Sequence, residues 1–170
     1  RLLRAGNHEA ARAACQEALA ALGPLGANRE LLAAVADPLW NLGTVAQRAG
    51  DLHCTHEAWQ AVYTFRASVL ADDDLDLQVV RAGLGVVKAE LGDLESALEL
   101  GERVLAAVEK QLPDGHARVL GARNNLAILK RLRGDIPGAL ALQQRILEVC
   151  ARTLPDDHPQ LQLARQNLAT

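Results

Sequence analysis

The feature that most constrains this chain is a spacing of 42 residues. Asn41, Gly83, Asn125 and Asn167 stand in strict register, within the segments NLGT, GLGV, NNLA and QNLA. A second series, Gly6, Gly50, Gly92 and Gly134, is followed each time by Asn or Asp, at intervals of 44, 42 and 42. A third series runs LADDDL from Leu70, LPDGHA from Leu112 and LPDDHP from Leu154, again 42 apart. Self-similarity at such a period marks a repeat array, in which each unit buries its apolar face only against its neighbours and the array as a whole offers a binding surface.

Between these landmarks the apolar residues follow a helical period. A first helix is predicted from His8 to Leu22, with Ala11, Cys15, Ala18 and Leu22 on one face. The segment Gly23-Pro24-Leu25-Gly26-Ala27-Asn28 breaks it, holds the two extra residues of the first interval, and ends on an Asn that can cap the next helix. Further helices are predicted over 29–49, 52–70, 75–91, 93–111, 116–133 and 136–153, and a last one opens at Pro159 and runs to Thr170. The repeats are therefore a partial one over 1–28, three whole ones over 29–73, 74–115 and 116–157, and a partial one over 158–170, all in one domain. Asp72-Asp73-Asp74 falls in an inter-repeat loop, where an aspartate caps a helix and favours its positive end; this reading is preferred to a metal site. The chain begins without Met and both begins and ends inside a repeat, so it is expected to be a piece of a longer protein.

Composition narrows the class. Hydrophobic residues are 49% and aromatics 2%, so Ala, Leu and Val carry the burial, which favours closely packed helices over sheets. Trp40, Trp59, Tyr63 and Phe65 all fall in one repeat. A net charge of -3 leaves no electrostatic footprint for nucleic acid, and neither a membrane-spanning run nor a charged-then-apolar leader is present. Cys15, Cys54 and Cys150 are odd in number and far apart, which argues for apolar filler in a reducing, cytoplasmic compartment.

Small residues recur where paired helices must touch: Gly43, Gly85 and Ala127 two residues after the ladder position, and Ala11, Ala97 and Ala139 five after the turn glycine, with Thr55 standing in for Ala. At these offsets the chain resembles the tetratricopeptide repeat family, and LPDDHP and ARNNLA look like its 42-residue, kinesin-light-chain type, which also occurs in bacterial signalling proteins. The likeness covers the whole chain and is strongest in the two C-terminal repeats. LADDDL departs from the pattern by lacking the Pro and His, and Gly83 departs by replacing Asn. The resemblance implies an all-α, right-handed superhelical solenoid of antiparallel helix pairs, about eight helices in all. It also implies a protein–protein interaction module whose concave groove, built from the first helix of each pair, holds a peptide or partner protein.

Carried over by position, the groove residues are Trp40, Asn41, Thr44, Gln47 and Arg48, then Val86 and Glu90, then Asn124, Asn125, Ile128 and Arg131, then Gln166 and Asn167. In the family the ladder Asn bonds the backbone of an extended ligand; Asn41, Asn125 and Asn167 match, whereas Gly83 leaves an opening. Trp40 is expected on the groove and Trp59 in the hairpin core. Arg81, Arg123 and Arg165 form their own series, their stems packing between repeats and their heads reaching solvent or an acidic partner.

No catalytic residue and no cofactor is expected. His53, Cys54 and His56 supply at most three ligands with no partner set elsewhere, and Gly83-Leu84-Gly85 lacks the strand and third glycine of a dinucleotide fingerprint. Two rival readings remain: a regulatory or sensing segment of a larger signalling enzyme of the NTPase or protease type, its ligand being another domain of the same chain, or an oligomerisation scaffold that self-associates through the array ends. The second follows from the last helix, where Leu161 and Leu168 are expected to lie uncovered and to fray or associate.

Overall fold

The computed structural model describes residues 29–169 together with Ala13, Glu17 and Ala20, which are helical. The helix expected over 8–22 is otherwise outside the described residues, as are the turn at Gly6, the loop over 23–28 and Cys15. Seven helices follow: α1 (Arg29–Arg48), α2 (Leu52–Val69), α3 (Leu75–Glu90), α4 (Leu94–Gln111), α5 (Ala117–Arg133), α6 (Ile136–Thr153) and α7 (Pro159–Ala169). The described residues contain no strand.

The turns explain why the helices stop and start where they do. Gly50, Gly92 and Gly134 take φ of +79°, +92° and +90°, a left-handed conformation that reverses the chain without a Cβ clash. The aspartate after each glycine caps the next helix. Asp51 accepts from Cys54 N at 3.1 Å, Asp93 from Ser96 N at 3.2 Å and Asp135 from Gly138 N at 3.0 Å, each satisfying an N–H that has no partner within its helix. The longer loops use a second register of caps. Asp74 accepts from Asp76 N at 2.8 Å, and the Nδ1 atoms of His116 and His158 accept from Arg118 N at 3.1 Å and Gln160 N at 3.2 Å.

The chain forms two compact units, residues 1–92 and 93–170. In the first, α1 packs on α2 and α2 on α3, around Ala36, Leu39, Val62, Phe65 and Val80, with Cys54 buried beside Ala46 and Ala58. The small-residue contact is direct: the Thr55 hydroxyl, fully buried, donates to Gly43 O at 3.3 Å and to Asp51 O at 2.8 Å. Trp59 lies across this junction, 4% exposed, its Nε1 donating to Trp40 O at 3.2 Å and its ring stacked on Trp40 at 4.5 Å. A Cβ on Gly43 would lie 2.5 Å from Trp59 Cδ1, and one on Gly83 would lie 2.9 Å from both Trp40 Cη2 and Trp59 Cζ3. The break in the asparagine ladder at Gly83 therefore has a packing cause. Two indole rings fill the space that was expected to be an opening, and the half-buried Trp40, stacked on Trp59, packs against the core of Leu39, Val62 and Phe65.

In the second unit α4 packs on α5, α5 on α6 and α6 on α7. Leu161, expected to lie uncovered, is 1% exposed, and it joins Ala164 in a core with Leu120, Ile146, Val149 and Cys150. The preceding helix pair supplies the cover that was looked for in a following helix. Leu161, Ala164 and Leu168 form one inward stripe, Leu168 half-buried, while Leu163 faces outward.

Removing the Trp59 ring is expected to cost about 3–5 kcal/mol and placing Asn at position 83 about 1–3 kcal/mol, by cavity formation and overpacking respectively. Because both changes act on one volume, the double variant Trp59→Ala/Gly83→Asn is expected to lose less than the sum, a non-additivity that urea denaturation of the four chains measures.

Candidate functional site

The first-helix positions singled out above fall into three conditions. Some are tied into the fold. Thr44 Oγ1 donates to Trp40 O at 2.9 Å, and Asn124 Oδ1 accepts from both Gln143 Nε2 at 3.2 Å and Asn167 Nδ2 at 3.4 Å. Asn124 and Asn167 thus join α5, α6 and α7 in the second unit. Others are accessible polar groups: Asn41, Arg48, Glu90, Arg131 and Gln166 are exposed, and Gln47 and Asn125 are half-buried. The remainder are apolar, with Val86 half-buried and Ile128 exposed. Neither Asn41 nor Asn125 makes a side-chain hydrogen bond among the described residues.

The second unit also holds a pocket. Ala127, Ile128 and Arg131 of α5 line it on one side, Ile136, Ala139, Leu140 and Gln143 of α6 on another, and Asn167 of α7 closes it. Of these residues Ile128, Arg131 and Asn167 were anticipated and those of α6 were not. A signal for Gln143 existed in the register, since it stands 42 residues after Gly101 and 84 after Trp59. Gln143 is 9% exposed, and its Oε1 is buried without a hydrogen-bond partner.

The arginine series has a different role from the one expected. Arg81 and Arg123 are buried, and their acidic partner is the loop aspartate nine residues earlier, at the end of the preceding repeat: Arg81 pairs with Asp72, Arg123 with Asp114 at 2.5 Å and Arg165 with Asp156 at 2.7 Å. Arg81 also donates to Asp72 O at 2.6 Å and lies 5.8 Å from the Tyr63 ring centroid. Arg123 adds bonds to Glu109 from Nε at 2.8 Å and Nη2 at 2.6 Å. Burial opposes the charge on both guanidinium groups, and the hydrogen bonds to these carboxylates outweigh it, so both sit above the ordinary arginine value. Asp114 carries most of this in the second unit, because Arg145 at 2.7 Å and Arg152 at 3.8 Å converge on its other oxygen.

No group of three or more His, Cys, Asp or Glu among the described residues is placed to hold a metal ion. No described helix is long and apolar enough to cross a membrane.

The tetratricopeptide repeat family profile matches residues 119–160. Among solved structures the chain is similar to a protein described as a kinesin light chain of Podosopora anserina with nearly identical TPR-like repeats: 22% identity over 99% of this chain and 79% of that one, TM-score 0.77. A single-substitution form of the same protein gives 21% identity over the same shares, TM-score 0.78. BtubC (BKLC) from P. vanneervenii gives 20% identity over 95% of this chain and 64% of that one, TM-score 0.66. No curated protein matches the sequence. The fold is therefore that of kinesin-light-chain-like tetratricopeptide hairpins.

Hydrogen bonding to Arg123 holds the Asp114 carboxyl below its usual value. A depressed folded value means stabilisation that is present above the unfolded carboxylate value of about 3.9 and is lost as the pH falls through the folded one. Thermal melts of the parent chain are expected to drop as the pH is lowered from about 4, and those of Asp114→Asn, which starts lower at neutral pH, to change less over the same range.

Proposed function

We propose that this array of tetratricopeptide-type hairpins is a protein-interaction module that holds an extended peptide or partner segment on its first helices. One observation carries the reading: Asn41 and Asn125 occupy the same register, are accessible, and have no side-chain hydrogen bond within the described residues. Asparagine is a poor helix former, so an amide that bonds nothing in the fold gives the helix no benefit. An extended ligand, by contrast, offers a backbone N–H and C=O that one amide can meet together. Asn124 and Asn167 act behind Asn125, holding α5 against its neighbours.

The partner is a protein or peptide, either a separate molecule or another domain of the same full-length chain. The reading assigns no catalytic residue and no cofactor.

Asn125→Ala is expected to weaken a peptide selected on the parent chain from a display library roughly two- to tenfold, the value of one hydrogen bond. Its melting temperature is expected to stay the same or rise slightly, because Ala is the better helix former. Titration calorimetry beside thermal melts checks both. A melting temperature lower by many degrees with unchanged affinity would move the binding face elsewhere.

A further inference from the structure

We propose that the Asp114-Gly115 peptide bond is a latent modification site, at which the chain cyclises to a succinimide and opens to isoaspartate when Arg123 and Arg145 release the Asp114 carboxylate.

Gly115 is the residue that points to it. By register it stands with Asp73 and Asp157, and Asp114 is the only aspartate of the sequence followed by glycine. All three positions sit in the same tight turn, closed by Asp74 N to Ala71 O at 3.0 Å, His116 N to Pro113 O at 2.8 Å and His158 N to Pro155 O at 3.0 Å, so the turn accepts a side chain there. Gly115 does not take the positive φ of Gly50, Gly92 and Gly134, and a Cβ on it would meet only Val149 Cγ1, at an ordinary contact distance of 3.6 Å. Neither the backbone nor the packing asks for glycine. What glycine does is leave the amide nitrogen after Asp114 with no Cβ beside it to shield it.

The reaction is an intramolecular acyl substitution that needs only water. The Gly115 nitrogen bonds to Asp114 Cγ, its proton and the carboxyl O–H leave together as water, and a succinimide ring forms. Water then adds to one of the two ring carbonyls. Addition at Cγ restores aspartate; addition at the Asp114 main-chain carbonyl breaks its bond to nitrogen, and the chain thereafter runs through Cγ as isoaspartate. The fold blocks the first step. Asp114 Oδ1 accepts from Arg123 Nη2 at 2.5 Å and Oδ2 from Arg145 Nη2 at 2.7 Å, with Arg152 at 3.8 Å. Held so, the carboxylate keeps its charge and has no O–H to lose. The Arg145 and Arg152 side chains are 51% and 67% exposed, so theirs is the half of the clamp that solvent can replace. Isomerisation adds a methylene to the main chain and moves the carboxylate, leaving the buried Arg123 with Glu109 as its carboxylate partner. A buried charge that loses a partner destabilises the closed state, so a molecule that reacts while open does not close as before.

The test is incubation of the whole chain in oxygen-18 water at neutral pH, then tryptic digestion in ordinary water and mass spectrometry. Each ring opening leaves one oxygen-18 in the peptide of residues 111–118, and Asp-specific cleavage separates aspartate from isoaspartate. The expected result is slow labelling of the folded parent, several-fold faster labelling of Arg145→Gln/Arg152→Gln at a temperature where melts show both chains folded, and the fastest labelling in guanidinium chloride, with isoaspartate the larger product. Gly115→Asp is expected to lose most of the labelling in guanidinium chloride and to melt no lower than the parent. Equal labelling of folded and unfolded parent, equal labelling of parent and double variant, or undiminished labelling of Gly115→Asp each overturn the proposal. So does a peptide of residues 153–165, which carries Asp156-Asp157, that labels in the unfolded parent as fast as the Asp114 peptide.

Discussion

At Trp59 and at Gly101 the packed helices enclose one small volume, and the helices that meet there must agree on which of them fills it. In the first unit Trp59 fills it, and that choice dictates Gly43 on α1 and Gly83 on α3, because a Cβ at either place would overlap an indole ring. Close-packed interiors leave no room for a compromise, since overpacking by even one group forces backbone shifts. The stacking of Trp40 on Trp59 and the bond from Trp59 to Trp40 O follow from the same placement. Trp40 and Trp59 therefore act as one stacked pair, and Trp40 also packs against the core that holds Phe65, so it belongs to the interior as much as to any outer surface.

Polar groups follow a second pattern that recurs at the repeat period. The glycine in the tight turn frees the backbone, the aspartate after it caps one helix, a second cap at Asp74, His116 or His158 serves the other, and an arginine nine residues after a loop aspartate ties that loop down. The turn and cap partners lie within one repeat, whereas each arginine ties its helix to the closing loop of the repeat before it. Burying Arg81 and Arg123 is tolerable only because several acceptors converge on each.

The helices and their ends were legible in the sequence because they depend on short-range chemistry: the Gly-Asp turns, the Asp74 cap and the 3.6-residue stripes each lie within a few residues of what they control. What could not be read depends on which side chain meets which across a junction. Gly83 looked like a gap because the ring that fills it lies 24 residues earlier. Leu161 looked uncovered because the surface that buries it belongs to the preceding helix pair and not to the next. The arginine series was visible as a series, but its partner was a loop carboxylate whose direction the pattern does not encode. Of the candidate site, the accessible amides at Asn41 and Asn125 were found by register, while Ile136, Leu140 and Gln143 escaped because the asparagine register points only to the first helices.

Register also separates departures that serve folding from those that do not. Gly83 departs from the asparagine ladder and is explained by Trp59; Asp74 departs from the histidine of the later loops and still caps its helix. Thr55 departs from Ala and hides its hydroxyl in two hydrogen bonds. Gln143 is of another kind. A residue serving only the junction would be apolar, or would have both ends of its amide satisfied, because half-satisfied buried amides are worse than none. One end of Gln143 is anchored by Asn124, and the other is buried without a hydrogen-bond partner. Packing against Asn124 accounts for the anchored end alone.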